Sequence, residues 1–290
     1  MKNNSMDLKY TSKLIADSGS TKTDWVVLQM GQPTAQFQSV GLNPFYQSVE
    51  DIERTLREQV LVNIPHPVEE VFFYGAGCAD EKSSRPVFDG LKAVLGINTA
   101  IHVGSDMLGA ARGLCGQEEG IACILGTGAN NAMYKTGSIV HAIGSLGFWM
   151  GDEGSGSYLG KQLVVDYLQN DLPSDLQALF ALNFPEINRL YVLDRAYKKP
   201  FPNRYFATFS KFISDHIHLP YMRNLVQDGF RLFVQKYVIK HTNAHLYSVH
   251  FTGSVAYHYQ DILKLVLEEY HLKCNQKKKT PLQGLISYHS

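Results

Sequence analysis

The sequence lacks the features that identify most membrane, secreted and nucleic-acid-binding proteins. It has no apolar run of the roughly 18 residues that a membrane helix needs, and its polar segment 1–10 has no apolar core like that of a signal peptide. The 27 Lys and Arg residues equal the 27 Asp and Glu residues, so no net charge attracts nucleic acid or an anionic membrane. The four cysteines form no C-x-x-C pair, as is usual for reduced thiols. We therefore expect a cytoplasmic protein without membrane or nucleic-acid partners.

Common nucleotide and metal motifs are also missing. Neither G-x-x-x-x-G-K-[ST] nor a complete G-x-G-x-x-G occurs, which argues against P-loop and dinucleotide-binding proteins. The absence of H-E-x-x-H argues against a zinc peptidase. With 290 residues, 44% of them apolar, the chain is long enough for two domains. Its densest basic cluster, Lys277-Lys278-Lys279, is expected to be a solvated loop.

Strand and helix patterns alternate along the chain and restart near residue 115, which predicts two α/β halves with a cleft between them. In the first half, Ser48 and Asp51 form a capping-box variant before a helix expected over 48–62. Predicted strands cover 13–17, 25–30, 34–40, 71–74, 100–103, 121–125, 132–135, 139–143 and 246–251. The glycine-rich stretch 144–160 reads as a loop, and a helix to Tyr270 is expected to be capped by Ser254.

The segment between these regions, to about residue 240, is predicted to be mainly helical. Between Arg189 and Phe233 it contains no motif that can be matched to a site. Its aromatic residues at helical spacing are typical of a packed core rather than of a binding site. The residues concerned are Tyr205, Phe209, Phe212 and Phe230.

Two similar turns stand out, one in each half. In both, an apolar strand runs into a turn rich in Gly, Ser and Thr, and a second strand leaves it; the turns are Asp17-Ser-Gly-Ser-Thr-Lys-Thr-Asp24 and Gly126-Thr-Gly128. Backbone N–H groups beside hydroxyls suit phosphate oxygens, and Lys22 adds a positive charge for a transferring phosphate. The first turn alone is explained equally well as an ordinary hairpin. Its repetition favours phosphate binding, through Gly19, Ser20, Thr21, Lys22, Thr23, Gly126, Thr127 and Gly128.

Four segments, taken in order, carry a resemblance to a known family. They are Asp17 to Leu28, Gly126 to Asn131, Gly151-Asp-Glu-Gly-Ser155 and Thr252-Gly-Ser254. They resemble the phosphate-1, phosphate-2, sugar-site and adenosine segments of the BadF/BadG/BcrA/BcrD-type ATPase family, most closely its N-acetylglucosamine kinase branch. That branch belongs to the actin-like superfamily, together with hexokinase and the heat-shock ATPases.

The resemblance implies a fold and its domain bounds. The expected fold is α/β, with two ribonuclease-H-like (actin-like ATPase) domains and a cleft between them. The first lobe would span 1–115, with a C-terminal tail of about 281–290 packing back on it. The second lobe would span 116–280 and carry a helical insertion.

The resemblance also implies roles for single residues. Asp106 matches the catalytic aspartate, a general base for a sugar hydroxyl; its alternative role is to cap the following helix, and the two roles can coexist. Asp17 would hold Mg²⁺ through water, and Gly253 and Ser254 would lie at the adenosine. Glu153 would share a sugar hydroxyl or favour the N-terminus of the next helix. The implied sugar contacts are Asn43, Asp106, Ala129, Asn130, Ser145, Leu146, Gly147 and Asp152.

The Asn43 amide suits a ring hydroxyl or an acetamido group, although an asparagine before a proline is also a common turn residue. The implied activity is phosphorylation of the 6-hydroxyl of an amino sugar, N-acetylglucosamine first, with ATP and Mg²⁺. The partner is a small sugar, and the chain could form a homodimer. Three alternatives stay open: a kinase for glucosamine or another hexose, a non-catalytic sugar sensor, and an ATPase activase of a reductive CoA-ester enzyme. The activase would need cysteine thiolates for an iron–sulfur cluster, for which Cys78 and Cys115 are the candidates.

Overall fold

The computed structural model describes residues 12–19 and 21–290. Ser20, a predicted phosphate contact, and the polar segment 1–10 lie outside the described residues. The chain divides into two compact units, residues 12–117 with Pro281–Ser290 and Glu118–Thr280. Each unit has a five-stranded mixed sheet with helices packed against it, which confirms the predicted α/β class. Within the described part of the chain, no helix combines the length and the apolar character needed to cross a bilayer.

The first unit begins with a three-stranded antiparallel segment and continues with two strands joined through helices. Its elements are β1 (Ser12–Ser18), β2 (Lys22–Gln29), β3 (Gln32–Val40), α1 (Val49–Thr55), β4 (Glu70–Gly75), α2 (Glu81–Leu95), β5 (Ala100–Ser105) and α3 (Asp106–Cys115). The sheet order is β3-β2-β1-β4-β5, with β4 parallel to both β1 and β5. The carboxyl ends of β1, β4 and β5 therefore meet at one edge of the sheet.

The helix expected over 48–62 is regular only in its first half. The capping box of Ser48 and Asp51 is confirmed. After α1 the chain widens into a π-turn, Leu56–Val60, and then tightens into a 3₁₀ turn. Ile52, Leu56 and Val60 are all buried, and their four-residue steps exceed the 3.6 residues of an α-helical turn. The wider turn keeps them on one face.

The second unit repeats the topology of the first. Its elements are β6 (Gly120–Leu125), β7 (Ala129–Lys135), β8 (Ser138–Ala142), α4 (Gly147–Met150), α5 (Gly156–Gln169), α6 (Ser174–Asn183), α7 (Arg189–Tyr197), α8 (Pro202–Ala207), α9 (Ser210–Asp215), α10 (Pro220–Lys236), β9 (Ser248–Thr252), α11 (Ser254–His258), α12 (Gln260–Glu269) and β10 (Cys274–Lys278). The sheet order is β10-β9-β6-β7-β8. Three antiparallel strands are again followed by two parallel ones, as in the first unit.

Three local predictions for this unit are wrong. The stretch 144–160 is not a continuous loop, because it contains α4 and the start of α5, where the Ser155 hydroxyl accepts the Tyr158 N–H at 3.2 Å. The lysine cluster is not a loop either, since Lys278 pairs with Thr252 in the edge strand β10. Lysines on an edge strand discourage pairing with other chains.

The third wrong prediction concerns Ser254. The N-cap of α11 is Gly253, and Ser254 is the first helical residue. The helix expected to run to Tyr270 is divided at Tyr259, which separates α11 from α12. Glycine is suited to the cap position because Gly253 has φ +110, in the region that other residues avoid.

The mid-chain helices α5 to α10 pack into the core of the second unit. Phe209, Phe212 and Phe230 are buried there, and Tyr205 packs against the same core. Phe180 stacks with Phe209 at a ring-centroid distance of 5.8 Å and meets Phe212 edge-on at 5.4 Å. The interpretation of these aromatic residues as core is confirmed.

The C-terminal helix α13 (Leu282–His289) returns to the first unit and packs against α3 and β1. Its residues Leu285 and Ile286 share a small core with Ile15 of β1. The helices approach so closely that a Cβ atom on Gly284 would lie 1.7 Å from the carbonyl oxygen of Gly113. Backbone contact at this point therefore depends on glycine.

We expect Gly284→Ala to lower the free energy of unfolding of the protein by about 1 to 3 kcal/mol, because the added methyl group must separate α13 from α3. Helix propensity alone predicts the opposite sign, since alanine stabilises a helix interior by about 1 kcal/mol relative to glycine. Urea denaturation of the variant decides between the two. Gln283→Ala, at an exposed position of the same helix, is the matched control and should change little. A stabilised Gly284→Ala protein would contradict the close packing of the two helices.

Candidate active site

The carboxyl edge of the first sheet collects the predicted site residues of the first unit. Ser18, Gly75 and Ser105 lie in register across β1, β4 and β5, and the Ala76 N–H donates to the Ser18 carbonyl oxygen at 2.9 Å. Asp17 directly precedes Ser18, and Asp106 directly follows Ser105. The parallel strands thus bring both carboxylates to the same edge, as the carboxyl ends of parallel strands require.

Asp17 lies in a strongly negative environment. Burial, and then the charges of Asp24 and Asp106, raise the pKa of Asp17 to about 7, while Lys22 acts in the opposite direction. Asp24 accepts hydrogen bonds from Lys22 Nζ at 3.0 Å and from Gln38 Nε2 at 2.6 Å. The positive charge predicted to meet a phosphate is therefore paired with a carboxylate in this structure. A concentration of partly buried negative charge of this kind favours a bound cation.

Asp106 is the first residue of α3, but Ser105 is its N-cap. The Ser105 hydroxyl accepts the Leu108 N–H at 3.1 Å, and Asp106 Oδ1 accepts the Met107 N–H at 2.8 Å. Burial raises the pKa of the Asp106 carboxyl above its usual value, and the Met107 N–H opposes that rise. A carboxylate with a raised pKa is better suited to accept a proton near neutral pH. The capping role considered for Asp106 belongs mainly to its neighbour.

Asn43 lies at the same edge, close behind the end of β1. The Leu42 N–H donates to the Ser18 hydroxyl at 3.1 Å, which holds the strand end and the following residue together. Asn43 Oδ1 accepts the Phe45 N–H at 3.0 Å, so the residue does form a local turn before Pro44. A Cβ atom on Gly77 would lie 2.5 Å from this same oxygen. Asn43 is thus held against the loop after β4, with its amide orientation set by the turn.

The remaining residues of the first turn differ in their exposure. Gly19 and Thr21 are exposed, and the Gly19 N–H donates to the Lys22 carbonyl oxygen at 3.0 Å. Thr23 is fully buried, with its hydroxyl 2.7 Å from that of Ser18. Its side chain supports the sheet and does not face solvent. The predicted phosphate contact of Thr23 stays a prediction.

In the second unit, the turn at 126–128 is joined to the start of α5. The Gly126 carbonyl accepts the Gly156 N–H at 2.8 Å, and the Thr127 carbonyl accepts the Ser157 N–H at 3.1 Å. The Gly126 N–H closes the turn on the Gly128 carbonyl at 3.0 Å. These bonds satisfy amide groups that a helix start leaves without partners and fix the turn to the helix.

Gly253 packs directly on this turn. A Cβ atom there would lie 2.3 Å from the Leu125 carbonyl oxygen, so a larger residue would separate the ends of β6 and β9. Beside it lies a cavity of about 370 Å³, within the range of small-ligand pockets. It is lined by Ser210, Lys211, Ser214, Asp215, Ser254, Val255, His258 and Tyr259. The Ser210 hydroxyl donates to the Gly156 carbonyl at 3.2 Å, which connects the cavity wall to α5 and so to the turn.

The 145–152 loop brings the predicted sugar contacts of the second unit together. Ser145 Oγ donates to Asp152 Oδ1 at 2.6 Å, and the Ala129 N–H donates to the same oxygen at 3.2 Å. The Gly147 and Asp152 N–H groups donate to Ser145 Oγ at 3.2 and 3.3 Å. Asp152 is buried and has a left-handed backbone, with φ +58. A strained, buried carboxylate held in this way is common at binding sites.

Two other predicted sugar contacts lie next to this loop. The partly exposed Asn130 directly follows Ala129, and its Oδ1 accepts the Asn131 N–H at 2.9 Å. The Leu146 side chain, within the loop, is exposed. Among the residues that the structure describes, no three His, Cys, Asp or Glu side chains meet closely enough to hold one metal ion.

Several contacts of the site were not predicted. The Glu153 carboxylate accepts the Tyr237 hydroxyl at 2.6 Å and bonds the Lys236 ammonium group. Lys161 Nζ donates to the Phe148 carbonyl at 3.0 Å and so anchors α4. These partners, like the cavity residues of α9, lie in helices without a sequence motif. In α9, the i, i+4 spacing of Lys211 and Asp215, which form an ion pair, is a sequence signal of a polar face.

Comparison with known proteins places this geometry in a class. No family model and no curated protein matches the chain. A proposed N-acetylglucosamine kinase from Chromobacterium violaceum is 16% identical and covers 97% of this chain and 99% of its own, with a TM-score of 0.71. A ROK-family glucokinase from Streptomyces griseus, solved with glucose and AMPPNP, is 16% identical over 96% of this chain and 97% of its own, with a TM-score of 0.52. These likenesses show the fold: the chain has the two-domain actin-like ATPase fold.

A third structure is much more similar. A proposed N-acetylglucosamine kinase from Porphyromonas gingivalis is 39% identical to the chain, covers 95% of it and 98% of its own length, and superimposes with a TM-score of 0.90. The chain belongs to the same family as this protein.

The raised pKa of Asp17 leads to a prediction about stability. Its folded-state pKa of about 7 exceeds the unfolded value, so the ionised carboxyl destabilises the fold increasingly as the pH rises from about 4 to about 7. We expect Asp17→Asn to raise the free energy of unfolding by about 1 to 3 kcal/mol near pH 8.5, and by less near pH 5. Denaturation at both pH values measures this difference.

The control for that experiment is Asp89→Asn, which removes a carboxylate paired with Arg85 at 2.9 Å on a helix of the same unit. It should leave the difference between the two pH values as in the unmodified protein. If Asp17→Asn changes stability equally at both pH values, the Asp17 carboxyl does not titrate near neutral pH, and burial and the nearby carboxylates do not raise its pKa to that range.

Proposed function

We propose that this protein is an ATP-dependent sugar kinase that phosphorylates the 6-hydroxyl of an amino sugar, with N-acetylglucosamine as the first candidate. The observation that carries the proposal is the carboxylate of Asp106. It lies at the carboxyl edge of a parallel sheet segment, Ser105 takes over helix capping, and burial raises its pKa. Membership in the family of a proposed N-acetylglucosamine kinase supports the choice of substrate.

The proposal assigns ATP to the glycine-rich turns and the cavity. The phosphates would lie against the turns at Gly19 and at Gly126-Thr-Gly128, where glycine lets phosphate oxygens approach the backbone closely. The adenosine would occupy the cavity of about 370 Å³ beside Ser254, whose wall is bonded to the same turn through Gly156 and Ser210. The phosphate and nucleoside sites of the second unit would then share one rigid framework.

The acidic edge of the first unit fits a magnesium ion. The carboxylate of Asp17 would hold it, because the nearby charges of Asp24 and Asp106 already disfavour ionisation without a cation. When bound, magnesium neutralises charge on the phosphates during transfer. Lys22, paired with Asp24 at 2.9 Å, lies in the same turn as Asp17 and would add a second positive charge beside the phosphates.

Asp106 would act as the general base. Its carboxylate removes the proton of the 6-hydroxyl as that oxygen attacks the γ-phosphorus in line, and ADP leaves with the bridging oxygen. Asn43 in the first unit, and Asn130 and Asp152 in the second, would hold the other sugar groups. An oriented acceptor hydroxyl lowers the entropic cost of the transfer.

The structure does not favour the activase alternative at Cys78. That thiol is buried, and burial raises its pKa to about 12. Packing beside Gly75, where a Cβ atom would lie 3.3 Å from the sulfur, gives Cys78 a structural role.

The test is a panel of hexoses and amino sugars with Mg·ATP, following ADP release. We expect one amino sugar to raise ADP release well above the rate without sugar. Asp106→Asn should lower kcat by about two to four orders of magnitude, because general base catalysis contributes that much, while ATP binding is retained. Asp89→Asn, at a partly exposed position of α2 in the same unit, is the matched control and should keep full activity.

Two results would overturn the proposal. If every sugar leaves ADP release at the rate measured without sugar, the protein is not a sugar kinase. If Asp106→Asn keeps the rate of the unmodified enzyme, another group removes the proton. Phosphorus NMR of the product distinguishes a 6-phosphate from a phosphate at another hydroxyl.

A further inference from the structure

The segment 236–241 contacts both ends of the region 129–153, which carries the predicted sugar contacts of the second unit. It begins with Lys236 and Tyr237 at the end of α10 and passes through a 3₁₀ turn to His241. Tyr237 bonds Glu153, directly after the 145–152 loop, and His241 bonds Asn131, directly after Asn130.

At the C-terminal end of this region, Tyr237 lies against Gly151 and Glu153, the two residues that flank Asp152. Its hydroxyl donates to Glu153 Oε2 at 2.6 Å, and the Lys236 ammonium group bonds the other oxygen. A Cβ atom on Gly151 would lie 3.2 Å from Tyr237 Oη and 3.3 Å from Ser145 Oγ. Burial raises the pKa of Tyr237, so the phenol stays protonated and remains the donor.

At the N-terminal end of this region, beside Asn131, the hydrogen bonds determine which ring nitrogens of His241 and His141 carry protons. Asn131 Nδ2 donates to the Ile143 carbonyl at 2.7 Å, so its Oδ1 is the acceptor for His241 Nε2 at 2.7 Å. His241 therefore carries its proton on Nε2, and its Nδ1 accepts from His141 Nδ1 at 3.0 Å. Burial lowers the pKa of His241 to about 4, and the facing His141 acts in the same direction. The ring stays neutral near pH 7 and holds Asn131, which in turn holds Ile143 two residues before Ser145.

We propose that Tyr237 and His241 are positioning residues that hold the Ser145–Asp152 pair and Asn130 in the geometry that binds the sugar, and so set the KM for the sugar. The inference rests on the proposed kinase function. Neither side chain is assigned a contact with substrate: Tyr237 acts through Glu153 and Gly151, and His241 acts through Asn131. The nucleotide contacts proposed at Gly126 and in the cavity involve neither residue.

The first test compares Tyr237→Phe with the unmodified enzyme in steady-state assays that vary sugar and ATP separately. Loss of a hydrogen bond to a charged group corresponds to roughly ten- to one-hundred-fold in an equilibrium constant. We expect the KM for the sugar to rise by about that factor, with kcat within about twofold and the KM for ATP unchanged. Tyr270→Phe removes a hydroxyl bonded to Gln235 at 2.6 Å in the same unit and is the matched control, with no expected change.

The second test asks whether a hydrogen-bond donor at position 241 is sufficient to keep the KM for the sugar low. His241→Gln can place an amide N–H near Asn131 Oδ1, whereas His241→Leu cannot. We expect the leucine variant to raise the KM for the sugar and the glutamine variant to recover most of that loss. Thermal unfolding of both variants separates this effect from general destabilisation.

The possible failures are distinguishable. If the unmodified enzyme shows no sugar-dependent turnover, the proposed function fails and this inference fails with it. If the unmodified enzyme is active but Tyr237→Phe keeps the sugar KM, or raises both KM values equally, only the positioning role is overturned. Equal KM values in the glutamine and leucine variants would likewise overturn the role of His241.

Discussion

The arrangement on which the first unit depends is the crowding of carboxylates at one edge of its sheet. Parallel pairing of β1, β4 and β5 brings Asp17 and Asp106 to that edge, and the antiparallel strand β2 adds Asp24. Together with burial, this proximity makes ionisation of Asp17 unfavourable. Such an arrangement lowers stability, and carboxylates with shifted pKa values are concentrated at functional sites. The proposed magnesium ion and the proposed general base would both use this edge.

The second unit is organised around backbone rather than charge. The turn at 126–128 and the first turn of α5 are joined by hydrogen bonds between carbonyl and N–H groups, and Gly253, after β9, packs on the turn where a side chain would not fit. Preformed backbone groups lose little entropy when a ligand binds. The two units therefore repeat one topology but have different chemistry at the ends of their strands. One supplies carboxylates, and the other supplies a rigid backbone turn, a cavity and a bonded polar loop.

The mid-chain helices connect core packing with the site. Their aromatic residues fill the interior of the second unit, while the polar residues at their ends reach the cavity and the 145–152 loop. Ser210 bonds Gly156, and Tyr237 bonds Glu153. The buried faces of α9 and α10 are packed in the core, and this packing keeps Ser210 and Tyr237 at the helix ends in fixed positions. Helices without a recognisable motif thus hold in place residues that belong to, or directly follow, the recognised Gly151–Ser155 segment.

The sequence by itself determined the α/β class, the strand–turn–strand units and the capping box at Ser48, because each depends on neighbouring residues and on hydrophobic periodicity. It also indicated Asp106 and the glycine-rich turns through the order of its motifs. It failed where the outcome depends on residues distant in the chain: Lys278 became part of an edge strand through pairing with β9. The contact of Glu153 with Tyr237 was not predicted for the same reason. The cavity could not be read from sequence either, because its walls come from separate helices. Such contacts are decided when packing selects among many possible long-range pairings, and no local pattern records that choice.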